Sequence, residues 1–481
     1  MQLTIIDIVI FLVFTLGTVL FGSSFVRKNK TAGDFMTAGK GMSGFVVGMS
    51  IFATYVSSIS FLALPGSAYS GNWNSFVFSL SIPIAIFFAA RFFVPFYRSI
   101  DSPSAYSFLE ERFGRWARLY ASGCYLLTQV ARVGSVLFLL ALPINAMLGW
   151  SIPLIIVLTG VAVVIYSALG GIKAIVYTDA IQSLILIAGA ITCLVILLVT
   201  MPGGTGELFR VGADHDKFSL GSFGLSLSEP TFWVTLLYGL FINLQNYGID
   251  QNYVQRYKTA RDEKSARFSA LFGGLLYLPV SLLFFLIGTS LFVYYSTQPL
   301  PETVTGDQVF PYFIVNALPA GVTGLLIAAI FAAGMSTVST SINSSATVVL
   351  TDFFSITASG AAGEKRKMKI LYATSVMLGL LGVGVGLAMI SVKSALDAWW
   401  SMAAIFSGGM LGLFFLGYIG RRVKGAYALA GVICGVLLIA WMSLSRQTLF
   451  HNYLTIVLGT LVIFSVGMFL AVVGGRRNRK R

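Results

Sequence analysis

Residues 52–66 read FATYVSSISFLALPG, and the fold turns on what this stretch cannot do. It is apolar enough to enter a bilayer, yet it cannot stay a regular helix throughout. Pro65 has no N–H, so the carbonyl of Phe61 loses its usual partner, and Gly66 loosens the next turn. Ser57, Ser58 and Ser60 stand just before that weak point and offer hydroxyls to freed backbone or to a ligand. Irregular backbone at membrane depth is tolerated only where protein buries it or where it lines a water-filled cavity. Interrupted helices of this kind hold solutes and coupling ions in secondary transporters, whereas an ordinary proline kink only packs.

Composition sets the solvent. The 481 residues are 57% hydrophobic and 10% charged, with mean hydropathy +0.85, where soluble chains carry about 25% charged residues. This is the composition of an integral membrane protein. The first apolar run, 3–20, follows Met1–Gln2 with no basic n-region and no clear small-residue cleavage site, so it reads as a retained helix.

A net charge of +14 invites a nucleic-acid reading, but its placement excludes one. About 26 of the 32 Lys and Arg fall in alternate connections that share one side: 27–40, 98–118, Lys173, 256–267, 365–369, 421–424 and the tail 476–481. Arg210, Lys217, Lys393 and Arg446 fall on the other. That is the positive-inside pattern. Cys124, Cys193 and Cys434 lie in apolar runs and give no disulfide framework, and the isolated His215 and His451 argue against a histidine metal site.

At about 20 apolar residues per span, the chain divides into roughly thirteen helices. They are α1 (3–22), α2 (42–70, the interrupted one), α3 (74–97), α4 (116–148), α5 (152–169), α6 (174–200), α7 (229–248), α8 (266–295), α9 (320–354), α10 (369–392), α11 (395–419), α12 (425–444) and α13 (450–474). A short helix is expected near 310–318. An odd count with the basic tail inside puts the N-terminus outside. Helices α2–α6 then start inside and α7–α11 outside, so two five-helix repeats would be inverted relative to each other. The units are 1–41, 42–200, 229–419 and 420–481. No phosphate-cradling loop is present, which leaves an ion gradient as the energy source.

Three groups of residues carry chemistry. On α9, Ala333, Ser336, Thr337, Thr340 and Ser344 share one face. Small hydroxylated residues promote close helix packing. They can also join unwound carbonyls as oxygen ligands of Na⁺: Ala53 and Val56 from α2, with Ala333, Ser336 and Thr337 from α9. Arg132 lies near the middle of α4, where an arginine costs about 2.5–3.5 kcal/mol. It is too deep to snorkel easily and no acidic residue has an obvious claim on it. It therefore suits a solute carboxylate gripped bidentately, or else the carbonyls of a broken helix. Asp179 on α6 is either paired with Lys173 or a ligand, with Ser339 and Thr340, for a second cation. Asp250 and Arg256 read as a cluster holding α7 to its inner loop, and Glu302, Asp307 and Asp214–Asp216 as solvated.

Four stretches, SSISFLALPGSAY (57–69), SALGGIKAIVYTDAIQ (167–182), GIDQNYVQRYKTAR (248–261) and FPYFIVNALPAGVTGLLIAAIFAAGMSTVSTSINSSAT (310–347), stand in the order found in the sodium:solute symporter family. The chain resembles that family over nearly its whole length. The resemblance implies an all-α LeuT-type fold, with α2–α6 and α7–α11 as the inverted repeats and α1, α12 and α13 flanking them, and Na⁺-driven symport by alternating access. Carried over residue by residue, the principal Na⁺ site falls on Ala53, Val56, Ala333, Ser336 and Thr337. A second, known in some members, falls on Asp179, Ser336, Ser339 and Thr340. Arg132 matches the carboxylate-binding arginine of the bacterial sialic acid symporters. Tyr55 stands where a smaller hydroxylated residue is expected and Ser79 where a longer amide is expected, which alters the sugar end of the pocket. The expectation is a monomeric importer of a carboxylate-bearing solute, foremost sialic acid, in a bacterial inner membrane. Arg132, Ser57, Ser60, Ser79, Phe241, Asn243 and Asn246 would face the solute. Neutral sugars, monocarboxylates, amino acids and vitamins are the rivals within the class. An intramembrane enzyme lacks an activated nucleophile or histidine base, and a channel would show no saturable accumulation.

Overall fold

The computed structural model describes residues 4–25, 31–298, 300–304, 306–354, 360–445 and 449–478. Of the basic residues counted above, Arg27, Lys28, Lys30, Arg446, Arg479, Lys480 and Arg481 lie outside them. The described chain is all-helical apart from one isolated backbone bridge between Met42 and Ala260. Among the described residues, nine helices are long and apolar enough to cross a membrane, or eleven if each of two bent pairs is one span. The expected thirteen exceeds this. The predicted α5 is described as apolar over Ile152–Val164 only, and α7 falls outside the apolar set.

The interruption of α2 sits upstream of its expected place. One half runs Gly44–Tyr55 and the other resumes at Ile59, bent by 58°. Val56 leaves the helix with an extended backbone (ψ 123°). Pro65 stands inside the Ile59–Ser70 half, directly after a widened turn over Ile59–Ala63, the kind of local adjustment that accommodates a proline in a membrane helix. The proline thus loosens the second half and is not itself the break. Two more breaks were not foreseen. The helix Phe232–Ile249 ends at Asp250, whose backbone is extended, and Gln251–Thr259 begins at once. The predicted α11 bends by 43°, at Gly408 and Gly409, both with left-handed φ (57° and 68°) that favours glycine. A 48-residue helix, Ile152–Val199, joins the predicted α5 and α6 and breaks at Gly171 (φ 61°). Short helices cover Val309–Ala317, as expected, and Gly206–Asp214, which was not.

Small residues let α8 (Glu263–Thr297) lie along both halves of α2. A Cβ on Gly273 would fall 2.3 Å from the carbonyl of Gly48, and one on Gly288 2.3 Å from that of Pro65. In lipid, such close backbone approach replaces the hydrophobic drive between helices. Gly273→Val should therefore cost about 1–3 kcal/mol, read as a lower melting temperature and yield in detergent. Gly17→Ala, with open space around its Cα, should leave both unchanged.

Asp307 is half-buried rather than solvated. Its Oδ2 accepts the N–H of Ala395 at 2.9 Å, at the start of the Ala395–Phe406 helix, and its Oδ1 lies against Gly66. Burial pushes its carboxyl up to about 6. At the opposite end of the sequence, Asp7 of α1 accepts the N–H groups of Gly321 and Gly324, both at 2.8 Å, at the start of α9 (Val322–Phe354). That bond fixes the first helix to α9.

Candidate functional site

The breaks in α2 and α7 open onto one cavity, which α11 lines with the half before its bend. Its walls include Tyr55, Ser57 and Ser60 from the broken α2, Ser79 from α3 (Trp73–Ser99), and Thr128, Gln129 and Arg132 from α4 (Arg115–Leu148). Gln245, Asn246 and Asp250 from α7, Tyr277 from α8, and Trp399 and Trp400 from α11 complete the ring. Five of the seven residues expected to face a solute line it: Arg132, Ser57, Ser60, Ser79 and Asn246. Two do not. Phe241 is half-buried against the hydrophobic core. Asn243 is buried with its amide spent: it accepts from the Tyr55 hydroxyl and donates to the Phe78 carbonyl (3.3 Å) and Ser81 Oγ (2.9 Å). On α7 the lining positions are Tyr238, Ile242, Gln245 and Asn246, one helical face, and Phe241 and Asn243 fall off it.

Arg132 is half-buried, and its guanidinium donates to the carbonyl of Thr54. That carbonyl is free because the chain leaves the helix two residues later. Both sequence readings of Arg132 thus share one geometry: it faces the cavity and it holds the broken backbone. The expectation that no carboxylate neighbours it was mistaken. Asp250 lines the same cavity and the two charges act on each other. Asp250 also caps the second half of α7, accepting the N–H of Asn252 at 2.8 Å. Gln129 Nε2 approaches it at 3.4 Å. Gln245 Oε1 is buried without a partner among the described residues, an acceptor turned to no protein donor. Gln129 and Gln245 were missed. Each was within reach of sequence, since Gln129 precedes Arg132 by three residues and Gln245 shares a face with Ile242.

Behind this cavity α2, α6 and α9 meet at Asp179. Ser50 Oγ donates to its Oδ2 and Ser336 Oγ to its Oδ1, each at 2.5 Å. Neither Lys173 nor a loop partner is involved. Instead Arg256 reaches it at 2.7 Å, with both side chains wholly buried. The same guanidinium donates to Thr340 Oγ1 (2.7 Å) and Ser50 Oγ (2.7 Å). Arg256 is therefore no inner-loop fastener. Its charge stands among Asp179 and Thr340, two of the four atoms groups expected around a second Na⁺. Ser339 Oγ bonds the Ser336 carbonyl at 3.1 Å. For the principal site, Val56 carries a non-helical carbonyl at the break, and Thr337 Oγ1 bonds the Ala333 carbonyl at 3.0 Å. Ala53, Val56, Ala333, Ser336 and Thr337 are all buried, and none brings a charge of its own.

Comparison with known proteins agrees with this architecture. Residues 35–435 match the family model described as "Sodium:solute symporter family". The chain is 34% identical to the sodium/sialic acid symporter NanT of Aliivibrio fischeri, covering 94% of this chain and 90% of that one. It is 31% identical to the sodium/sialic acid symporter SiaT of Proteus mirabilis, covering 87% and 85%. A solved structure of a Na⁺-coupled sialic acid symporter, substrate-bound and outward-open, superposes with a TM-score of 0.91 at 28% identity over 98% of each chain. Mhp1, a nucleobase-cation symporter, shares the fold alone (TM-score 0.62, 16% identity, 92% of this chain and 94% of that one). The chain belongs to the sodium:solute symporter family: it is an integral membrane protein of the LeuT-type fold, a Na⁺-coupled solute symporter and not an enzyme.

Proposed function

We propose that this symporter imports a carboxylate-bearing solute of the sialic acid class and that Arg132 holds the carboxylate. One observation carries the reading: the cavity formed by the broken helices is lined by an arginine that holds a neutral carbonyl and forms no ion pair within 4 Å among the described residues. Its charge is offset across the cavity by Asp250, so solute and Na⁺ together arrive at a nearly neutral site. Ser57, Ser60, Asn246, Gln129 and Gln245 supply hydrogen bonds to the polar groups of the solute. Two sialic acid symporters among the relatives support this substrate class.

One Na⁺ binds between the α2 break and α9, on Ala53, Val56, Ala333, Ser336 and Thr337. By fixing α2 to α9 it finishes the pocket next door, which is how the ion gradient drives solute binding. The repeats are α2–α6 and α7–α11, the N-terminus lies outside and the C-terminus in the cytoplasm of a bacterial cell, and the protein works as a monomer.

A smaller monocarboxylate is the second reading. Tyr55, bonded to Asn243, and Ser79, bonded to Ser281 Oγ at 2.8 Å, fill and satisfy one end of the cavity. Relatives include a mouse sodium-coupled monocarboxylate transporter, 29% identical over 87% of this chain. Uptake of labelled N-acetylneuraminate into proteoliposomes separates the two. Accumulation with a Na⁺ gradient that collapses to leak level in choline or K⁺ is expected, with short monocarboxylates competing weakly. Strong competition by lactate-sized acids, with no N-acetylneuraminate uptake, would install the second reading.

A further inference from the structure

A second cavity, of about 300 Å³, lies apart from the solute site. Its walls come from three separate segments: 33–40, which leads into α2; the end of α3 with the loop 100–103; and Lys258 on the second half of α7. Three cations line it, Lys40, Arg98 and Lys258, against a single carboxylate, Asp101. None of the four forms an ion pair within 4 Å among the described residues.

The basic groups are held in place by neutral partners. Lys258, buried, donates to the carbonyls of Ile100 (2.8 Å) and Ser102. Arg98 Nη1 donates to the carbonyls of Tyr257 and Ala260, both at 2.9 Å. Such bonds orient the side chains and cancel no charge. Lys258 keeps a third donor and Arg98 keeps its Nε and Nη2 groups. Burial, and then repulsion by Lys40 and Arg98, pull the Lys258 ammonium down to about 8, with Asp101 opposing. Like charges gathered around a void repel one another, and an anion placed among them would relieve that repulsion.

We propose that this pocket binds a phosphate-type group, a tetrahedral oxyanion carried by a lipid headgroup or by a small soluble phosphate. An anion there would touch both the segment that leads into α2 and the second half of α7. The segment entering α2 is tied to α7 by Gln255 Nε2 on the Met36 carbonyl (2.6 Å), Met42 N–H on the Thr259 carbonyl (3.1 Å) and Arg261 N–H on the Met42 carbonyl (3.0 Å). Occupancy braces the two broken helices against each other at the same end.

The test is thermal unfolding of the full-length protein in detergent at constant ionic strength. Sulfate and inorganic phosphate should raise the melting temperature over chloride, saturably. Lys40→Gln, at an exposed side chain, and Lys258→Gln should each raise the half-maximal concentration about tenfold, the effect of losing one charge-assisted bond. Stabilisation by Na⁺ with solute should survive in Lys40→Gln. A parallel arm compares protein in phosphatidylglycerol and in phosphatidylcholine bilayers. Protection by the anionic lipid but not by soluble anions identifies a headgroup, and the reverse a soluble phosphate. Equal melting temperatures in all media, or protection that persists in the Lys40→Gln/Lys258→Gln double variant, would overturn the proposal.

Discussion

Arg132→Ala abolishes solute uptake and leaves the protein folded, with Na⁺ still protecting it against heat. The size of the effect follows from burial. Removing one partner of a desolvated charge pair costs about 2–5 kcal/mol, roughly 30-fold to several thousand-fold in affinity. Because Arg132 also holds the Thr54 carbonyl, between the two α2 residues assigned to Na⁺, the half-saturating Na⁺ concentration should rise modestly as well. Arg132→Lys keeps the charge but loses the fork, and should recover the Na⁺ response better than the solute response. Uptake by Arg132→Ala at the parental rate would remove the carboxylate assignment and the substrate class with it.

Asp179→Asn lowers the melting temperature in the absence of Na⁺, by a loss of about 3–5 kcal/mol, because it strands the guanidinium of Arg256 in a wholly buried setting. Adding Arg256→Gln should return part of the loss, since the stranded charge goes too. The pair's geometry also bears on how many ions are coupled. Both carboxylate oxygens of Asp179 are already engaged, one by Ser336 and the other by Ser50 and Arg256. A single Na⁺ is the expected stoichiometry, and the Hill coefficient for Na⁺ stays near one in parent and variant alike. If Asp179→Asn left the Na⁺-free melting temperature unchanged while the Hill coefficient fell from two to one, Asp179 would be a ligand of a second ion.

The residues best read from sequence were those whose type is costly at membrane depth. Arg132, Ser57 and Ser60 stand out against an apolar background, and the structure places them around one cavity, while Ser58 turns away to the Val136 carbonyl. The small residues at three- and four-residue spacing on α9 single out no face there, because the helix is buried on every side from Leu326 to Val348. Phe241 and Asn243 illustrate the limit. Both sit in the right helix, but a shift of one residue turns a side chain by about 100°, and only the packed structure sets that rotation.

Sequence by itself determined the solvent, the helical class, the need for a break in α2 and the presence of an arginine with no local partner, because each depends on residue type and spacing along the chain. Tertiary structure alone decided the partners. Arg256 lies 77 residues from Asp179, Asp250 reaches the Arg132 cavity because α7 breaks there, and Asp307 finds Ala395, 88 residues further on. Charges that must be compensated in a low-dielectric interior pair with whatever the fold brings within reach, and chain order carries little information about which group that is.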